Sequence, residues 1–265
     1  FPPLRGCGVS GVGGHAGWLT LPWGCGRWAR RVGAFESFVA SFDDEFREQS
    51  AEQFVRDYLL PLGVRQIVVG YDFRFGKGGA YTAADLTAIA KKLGLGCEVV
   101  EHVDVSGSPV SSSRIRADLQ TGDVISAACL LARPYQWRAR VVHGEARGRT
   151  IGFPTANLQL TEAFVIPAEG VYAVDCITSD GEFRRAMLNI GRRPTVVDKG
   201  QLSFEAHLLD FDGDLYDSEM VIEFIAYLRS ERKFSSLAAL REQLTYDADA
   251  ARKAVALLWP DACVY

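Results

Sequence analysis

From Trp137 to Leu228 the chain repeats one pattern. WRARVVH (137–143), GVYAVDCI (170–177), FRRAMLNI (183–190), LSFEAHLL (202–209) and MVIEFIAYL (220–228) are rich in β-branched, aromatic and aliphatic residues, and Gly, Pro and Asp turns separate them. Short strands punctuated in this way predict a compact antiparallel barrel or sandwich. SSLAALREQLTYDADAARKAVALL (235–258) then closes the chain as one or two helices.

A different rhythm precedes this. SAEQFVRDYLLPLG opens on a capping box, Ser50 with Gln53, and stops at Pro61 and Gly63. RQIVVG reads as a short buried strand, YDFRFGKGGAY as a loop, TAADLTAIAKKLG as a helix started by Thr82 and Asp85, and CEVVEHV as a second strand. Strand, helix, strand over this length predicts a βαβ unit with a parallel sheet. SSSRIRADLQTG predicts a further helix, capped by one of Ser111–Ser113 and ended by Gly122, and the domain boundary is expected at 122–126. Three segments follow: an atypical leader (1–40), an α/β part (41–125) and a β-rich part (126–265).

The leader holds nine of the 26 glycines and three of the five tryptophans, with no helical or strand period, so it is expected to be disordered. A net charge of −4 argues against a nucleic-acid partner held by bulk electrostatics. There is no run of 18 apolar residues and no signal-peptide pattern, so no membrane partner is expected. The six cysteines form no CxxC pair and sit apart from the four histidines. They read as reduced thiols in a cytoplasmic protein.

The stretch GRTIGFPTAN (148–157) is unusually dense in Gly, Pro and small polar residues. Gly148 and Gly152 allow positive φ and close backbone approach, and Pro154 fixes the backbone before Thr155. The remaining N–H groups, with Arg149, could surround an anion. The Thr155 hydroxyl and Asn157 carbonyl are hard oxygen ligands of the kind Mg²⁺ on ATP phosphates accepts. Composition alone equally allows an irregular barrel corner. On the strand 203–209, Phe204, Ala206 and Leu208 share one face, and Ser203, Glu205 and His207 the other. Glu205 is thus either a placed carboxylate in mid-strand or a solvent-facing residue of a half-exposed sheet.

GRTIGFPTANL, EGVYAV, LNIGRRPTV, FEAHLLDFDGDLY and FIAYLRSERKFSSLAAL occur in the order and spacing of the riboflavin kinase domain, and the whole chain resembles the prokaryotic bifunctional riboflavin kinase/FAD synthetase family. The resemblance implies a six-stranded Greek-key β-barrel with helices at its C-terminal end that moves the ATP γ-phosphate to the riboflavin 5′-hydroxyl, giving FMN. It implies that Thr155 and Asn157 hold Mg²⁺ and ATP phosphates, that Gly148, Arg149 and Gly152 shape their loop, and that Glu205 is the general base. It further implies that Asn189 to Thr195 forms a neighbouring loop, and that Asn189, Phe234, Leu237 and Leu240 meet the flavin. Leu237 and Leu240, at i and i+3, serve equally well as ordinary core residues. The family's DLYG is DLYD here, with Asp217 in place of Gly.

In the α/β part, VVGYDFRFGKGG (68–79) and VSSSRIR (110–116) resemble motifs of the same family's adenylyltransferase module, which has a Rossmann-like nucleotidyltransferase fold. The resemblance assigns nucleotide and flavin binding to Phe73, Arg74, Phe75, Gly76, Ser112, Ser113, Arg114 and Arg116. The module's histidine loop, Gly-x-Phe-Asp-Gly-x-His-x-Gly-His, is not found. GGHAGW (13–18) offers one histidine and then Trp18. The module is therefore expected to be incomplete and FAD synthesis lost or weak, with ATP, riboflavin and FMN as the small-molecule partners. A fully bifunctional enzyme and a non-catalytic flavin- or nucleotide-binding module are the rival readings.

Overall fold

The computed structural model describes residues 17–20, 29–30, 33–34, 36, 38, 43–144, 151–193 and 201–255. The chain divides into two compact units: one takes Gly17–Thr20 and everything from Val105 onward, the other the rest.

In the smaller unit, α1 (Asp44–Glu48) leads to α2 (Ala51–Phe54), which continues as a π-helical turn over Val55–Leu59. The capping box at α2 is formed: Ser50 Oγ accepts from Gln53 N at 3.2 Å, and Gln53 Oε1 accepts from Ser50 N at 2.9 Å. β1 (Gln66–Gly70) and β4 (Gly96–Val100) pair in parallel, from Gln66 opposite Gly96 to Gly70 opposite Val100. α3 (Ala83–Lys92) joins them and is capped by Thr82 with Asp85, completing the expected βαβ unit. The segment read as a loop holds a hairpin of β2 (Arg74–Phe75) and β3 (Tyr81–Thr82). Phe75 is buried there, its ring 5.5 Å from Phe73 and 5.8 Å from both Phe54 and Tyr81. Burial of this aromatic group is what folds the hairpin back onto α2.

The larger unit starts inside a hairpin of β5 (Asp104–Val105) and β6 (Ser108–Pro109), which is followed by α4 (Ser112–Thr121) and α5 (Val124–Leu131). Ser111 is the N-cap of α4, and Gly122 ends it in the left-handed conformation, φ 85°. α4 packs on α5, and α5 on the barrel, so both helices belong with the barrel although α4 precedes the change of sequence rhythm.

Six strands close the barrel: β7 (Tyr135–Val142), β8 (Ala156–Leu160), β9 (Gly170–Ile177), β10 (Phe183–Arg193), β11 (Gln201–Leu208) and β12 (Glu219–Arg229). Around the wall the order is β10-β11-β8-β7-β12-β9, every pair antiparallel. β9, β10 and β11 are successive neighbours and β8 returns beside β11, which is a Greek key. Period-2 alternation turns Tyr135, Trp137, Tyr172, Leu188, Ile190, Ile222 and Phe224 inward, all but fully buried. The Trp137 and Phe224 rings meet edge to face at 4.8 Å. The polar tips are satisfied: Tyr135 Oη and Trp137 Nε1 both donate to Val165 O, at 2.8 and 3.2 Å. Burial pushes the Cys176 thiol inside this wall up to about 12, so it stays protonated. None of the described cysteines, Cys97, Cys129 and Cys176, is in a disulfide.

α6 (Leu237–Lys253) is a single helix among the described residues and lies on the outer wall, where Ala248 and Ala251 pack against Val171, Ala173, Met187 and Ile225.

The leader is expected to be disordered, and its residues 17–20 make backbone contacts with the larger unit's residues near 164. Trp18 bridges Phe164 in parallel, donating to Ala163 O at 2.7 Å while its own carbonyl accepts from Val165 N at 3.2 Å. Only glycine fits at Gly17, since a Cβ there would stand 2.3 Å from the Phe164 backbone. These bonds complete backbone pairing at the barrel's mouth, an incentive that the composition of 1–40 does not reveal.

Asp217 has φ 59°, the region where glycine is favoured, so the departure from DLYG carries a local backbone cost on the order of 1 kcal/mol.

Candidate active site

Three strands bring the candidate residues into one row. β8 pairs with β11 so that Asn157 stands opposite Glu205, and β11 pairs with β10 so that Glu205 stands opposite Asn189. Directly opposed residues of an antiparallel sheet project to the same side. Their neighbours Leu158, Ala206, Leu188 and Ile190 fill the interior. The row Asn157–Glu205–Asn189 therefore lies on the outer wall. Glu205 is half-buried there. It is the centre of a polar row, flanked on either side by a carboxamide.

The loop ahead of β8 is anchored from β11. His207, two residues beyond Glu205 and on the same face, places Nδ1 2.6 Å from Pro154 O. A carbonyl only accepts, so Nδ1 carries the proton. The Phe153 ring packs on the His207 ring with centroids 5.1 Å apart, and Gly152 has φ 82°. Thr155 is half-buried between this anchor and β8. The sequence alone puts His207 on the same face as Glu205 and gives it no role. Its period-2 spacing from Glu205 was the available signal. Gly148, Arg149 and residues 194–195 of the expected neighbouring loop lie outside the described residues.

Gly144 shapes the same corner. A Cβ there would stand 2.0 Å from Asn157 Nδ2, so only glycine leaves the carboxamide in place. Gly144→Ala is expected to displace the end of Asn157 and leave the barrel intact. An unchanged melting temperature together with a shifted resonance of the Asn157 side-chain amide checks it.

A cleft of about 500 Å³ opens beside the row, between Gly152–Pro154, the turn after His207, and Thr245, Ala248 and Arg252 of α6. Arg252 Nη2 donates to Asp210 Oδ1 at 2.9 Å, and this bond holds the Asp210 carboxyl below the usual carboxylate range.

At the other end of the row the chain turns from β12 into α6. Asn189 Nδ2 donates to Glu231 Oε1 at 3.0 Å, tying this turn to β10. Phe234 stacks under two guanidinium groups, 5.7 Å from Arg229 and 4.9 Å from Arg232. Arg229 is itself fixed by Asp247 of α6, which is 3% exposed, with Nη2 to Oδ2 at 2.7 Å. Leu237 is 70% exposed, which removes the core reading for that residue, while Leu240 is half-buried.

The residues assigned to the adenylyltransferase motifs fall in both units. Phe73, Arg74, Phe75 and Gly76 belong to the smaller, and Ser112, Ser113, Arg114 and Arg116 to the larger. The two arginines are occupied by backbone carbonyls. Arg114 Nη1 donates to Val105 O and Ser108 O at 3.0 and 2.9 Å, and Arg116 Nη2 to Gly17 O at 3.1 Å.

A family model described as riboflavin kinase matches residues 131–255, and one described as FAD synthetase matches residues 26–114. The bifunctional riboflavin kinase/FMN adenylyltransferase of Bacillus subtilis (strain 168) is 40% identical over 223 residues, spanning 82% of this chain and 69% of that protein. Its namesake from Escherichia coli (strain K12) is 34% identical over 235 residues, spanning 88% and 74%. A crystal structure described as a macrolide-efflux protein from Streptococcus pneumoniae has a TM-score of 0.81 at 33% identity, over 89% of this chain and 76% of that one. The likeness to it is one of fold. Among the described residues no helix is long and apolar enough to cross a membrane.

Proposed function

The chain belongs to the bifunctional riboflavin kinase/FMN adenylyltransferase family, and we propose from this that its barrel transfers the γ-phosphate of ATP to the 5′-hydroxyl of riboflavin. The observation that carries the reading is the register of β8, β11 and β10, which puts Glu205 between Asn157 and Asn189 on one open face.

In this reading the nucleoside end of ATP occupies the cleft of about 500 Å³, a volume suited to a ligand of that size. Its phosphates lie along 152–157, with Gly148, Arg149 and Gly152 shaping the loop. Thr155 Oγ1 and Asn157 Oδ1 are hard oxygen donors that fit Mg²⁺, and no cluster of His, Cys, Asp or Glu among the described residues offers another site. The ion, when bound, supplies charge neutralisation to the transferring group. The flavin packs toward Phe234, Leu237 and Leu240, where an exposed leucine and a ring held rigid by two arginines offer apolar surface. Glu205 accepts the proton of the 5′-hydroxyl as that oxygen forms its bond to the γ-phosphorus. The bond from the γ-phosphorus to the bridging oxygen breaks, and ADP leaves. His207 keeps Pro154, and with it Thr155, in position. In this reading the reaction joins small-molecule partners in a cytoplasmic setting.

For the α/β part, two readings stand side by side. Both family domains are present, which favours a bifunctional enzyme. The other reading is a silent adenylyltransferase with FMN as the end product, and it rests on the expectation from sequence that this module is incomplete. One assay separates them. The protein is incubated with riboflavin and Mg-ATP, and the flavins are resolved by chromatography. FMN alone supports a kinase with a silent second domain, FMN with FAD supports a bifunctional enzyme, and neither product overturns the kinase reading in favour of a binding module.

A further inference from the structure

Glu231 has no assigned role, yet its place is set from two sides. Its Oε1 accepts from Asn189 Nδ2 at 3.0 Å. It also lies over Gly191, where an added Cβ would stand 2.0 Å from the same oxygen. Gly191 is thus a notch in β10 that admits the carboxylate. An exposed glutamate on a turn ordinarily wanders among rotamers. This one is received by a donor and a gap on β10.

The chemistry of the contact is directional. A carboxylate only accepts, so the end of the Asn189 carboxamide that meets Glu231 must be its NH₂. The carbonyl Oδ1 is then turned away from Glu231 and remains as an acceptor. Asn189 stands opposite Glu205, so this acceptor lies one strand from the carboxylate that takes the 5′-hydroxyl proton. A polyhydroxylated chain with its terminal hydroxyl at Glu205 offers a second hydroxyl within reach of the next strand.

We propose that Glu231 is a positioning residue: it orients Asn189 so that Oδ1 accepts a hydrogen bond from a second hydroxyl of the substrate's polyol chain. This rests on the riboflavin kinase reading, and it explains why an asparagine and a glycine of β10 and a glutamate of the turn after β12 converge beside Glu205. Asn189 left to itself would turn either end to the substrate. With Glu231 in place it presents an acceptor only.

The test is steady-state kinetics of FMN formation with riboflavin and Mg-ATP varied in turn, alongside thermal melts. Glu231→Gln, which can face Asn189 with either polarity, is expected to raise the KM for riboflavin about tenfold and leave that for Mg-ATP and the melting temperature unchanged. Gly191→Ala should produce the same shift by displacing the carboxylate, and combining it with Glu231→Gln should add nothing further. Asn189→Asp sets two carboxylates against each other and should be worse than either. Adding Glu231→Gln to Asn189→Asp restores a hydrogen bond while keeping an oxygen toward the substrate, and should recover most of the loss. An unchanged riboflavin KM in Glu231→Gln overturns the proposal, as does an equal rise for both substrates or no recovery in the double variant. If the unmodified protein makes no FMN, the kinase reading itself fails. If it makes FMN while these variants behave like it, only the role of Glu231 fails.

Discussion

Glu205→Gln is expected to lower kcat for FMN formation by about 10²- to 10⁴-fold, the usual contribution of a positioned general base. Glutamine has the same shape and cannot take the proton. The side chain is on the outer wall, and Phe204, Ala206 and Leu208 keep filling the interior. The melting temperature should therefore hold, and the KM for Mg-ATP should change little, because Thr155, Asn157 and the cleft are untouched. A loss confined to kcat identifies a group acting on the reacting hydroxyl rather than on binding. A kcat within twofold of the unmodified protein would remove Glu205 from the chemistry.

Asp247→Ala is expected to destabilise the barrel unit by about 3–5 kcal/mol, because it strands a guanidinium in a largely enclosed site. Asp247 receives Arg229 Nε and Nη2 at 2.9 and 2.7 Å on one oxygen and Gln243 Nε2 at 2.6 Å on the other. This buried pair clamps the C-terminal half of α6 to the end of β12. Chemical denaturation of the barrel unit measures the loss. Arg229 also stacks on Phe234, so residual folded protein should bind riboflavin more weakly. Stability within 1 kcal/mol of the unmodified protein would mean that the pair contributes little beyond its own desolvation cost.

Local rules carried a long way. The capping boxes at Ser50 and Thr82, the left-handed Gly122 stop, and the strand–helix–strand order of the smaller unit are set by contacts three or four residues apart, and they can be read from a single stretch. Alternation along 203–209 put Glu205 and His207 on one face before any sheet was known. The aromatic hairpin at 74–82 looks like a loop in sequence because the partners of Phe75 include Phe54, which no local period links to it. Order at 17–20 is invisible locally for the same reason: its hydrogen bonds run to residues near 164, far along the chain.

The sequence by itself determined the alternation of inward and outward residues, the turn positions and the residue types that can hold phosphate, metal and a hydroxyl proton. These follow from backbone period and side-chain chemistry. The tertiary structure alone decided that β8 returns beside β11, and with it that Asn157, Glu205 and Asn189, from three strands, share a row. It alone decided that His207 holds Pro154 and that Glu231 fits the notch at Gly191. Strand order in a closed barrel is chosen by how the whole set of inward faces packs around Trp137 and Phe224. That selection is global, and no window of the sequence contains it.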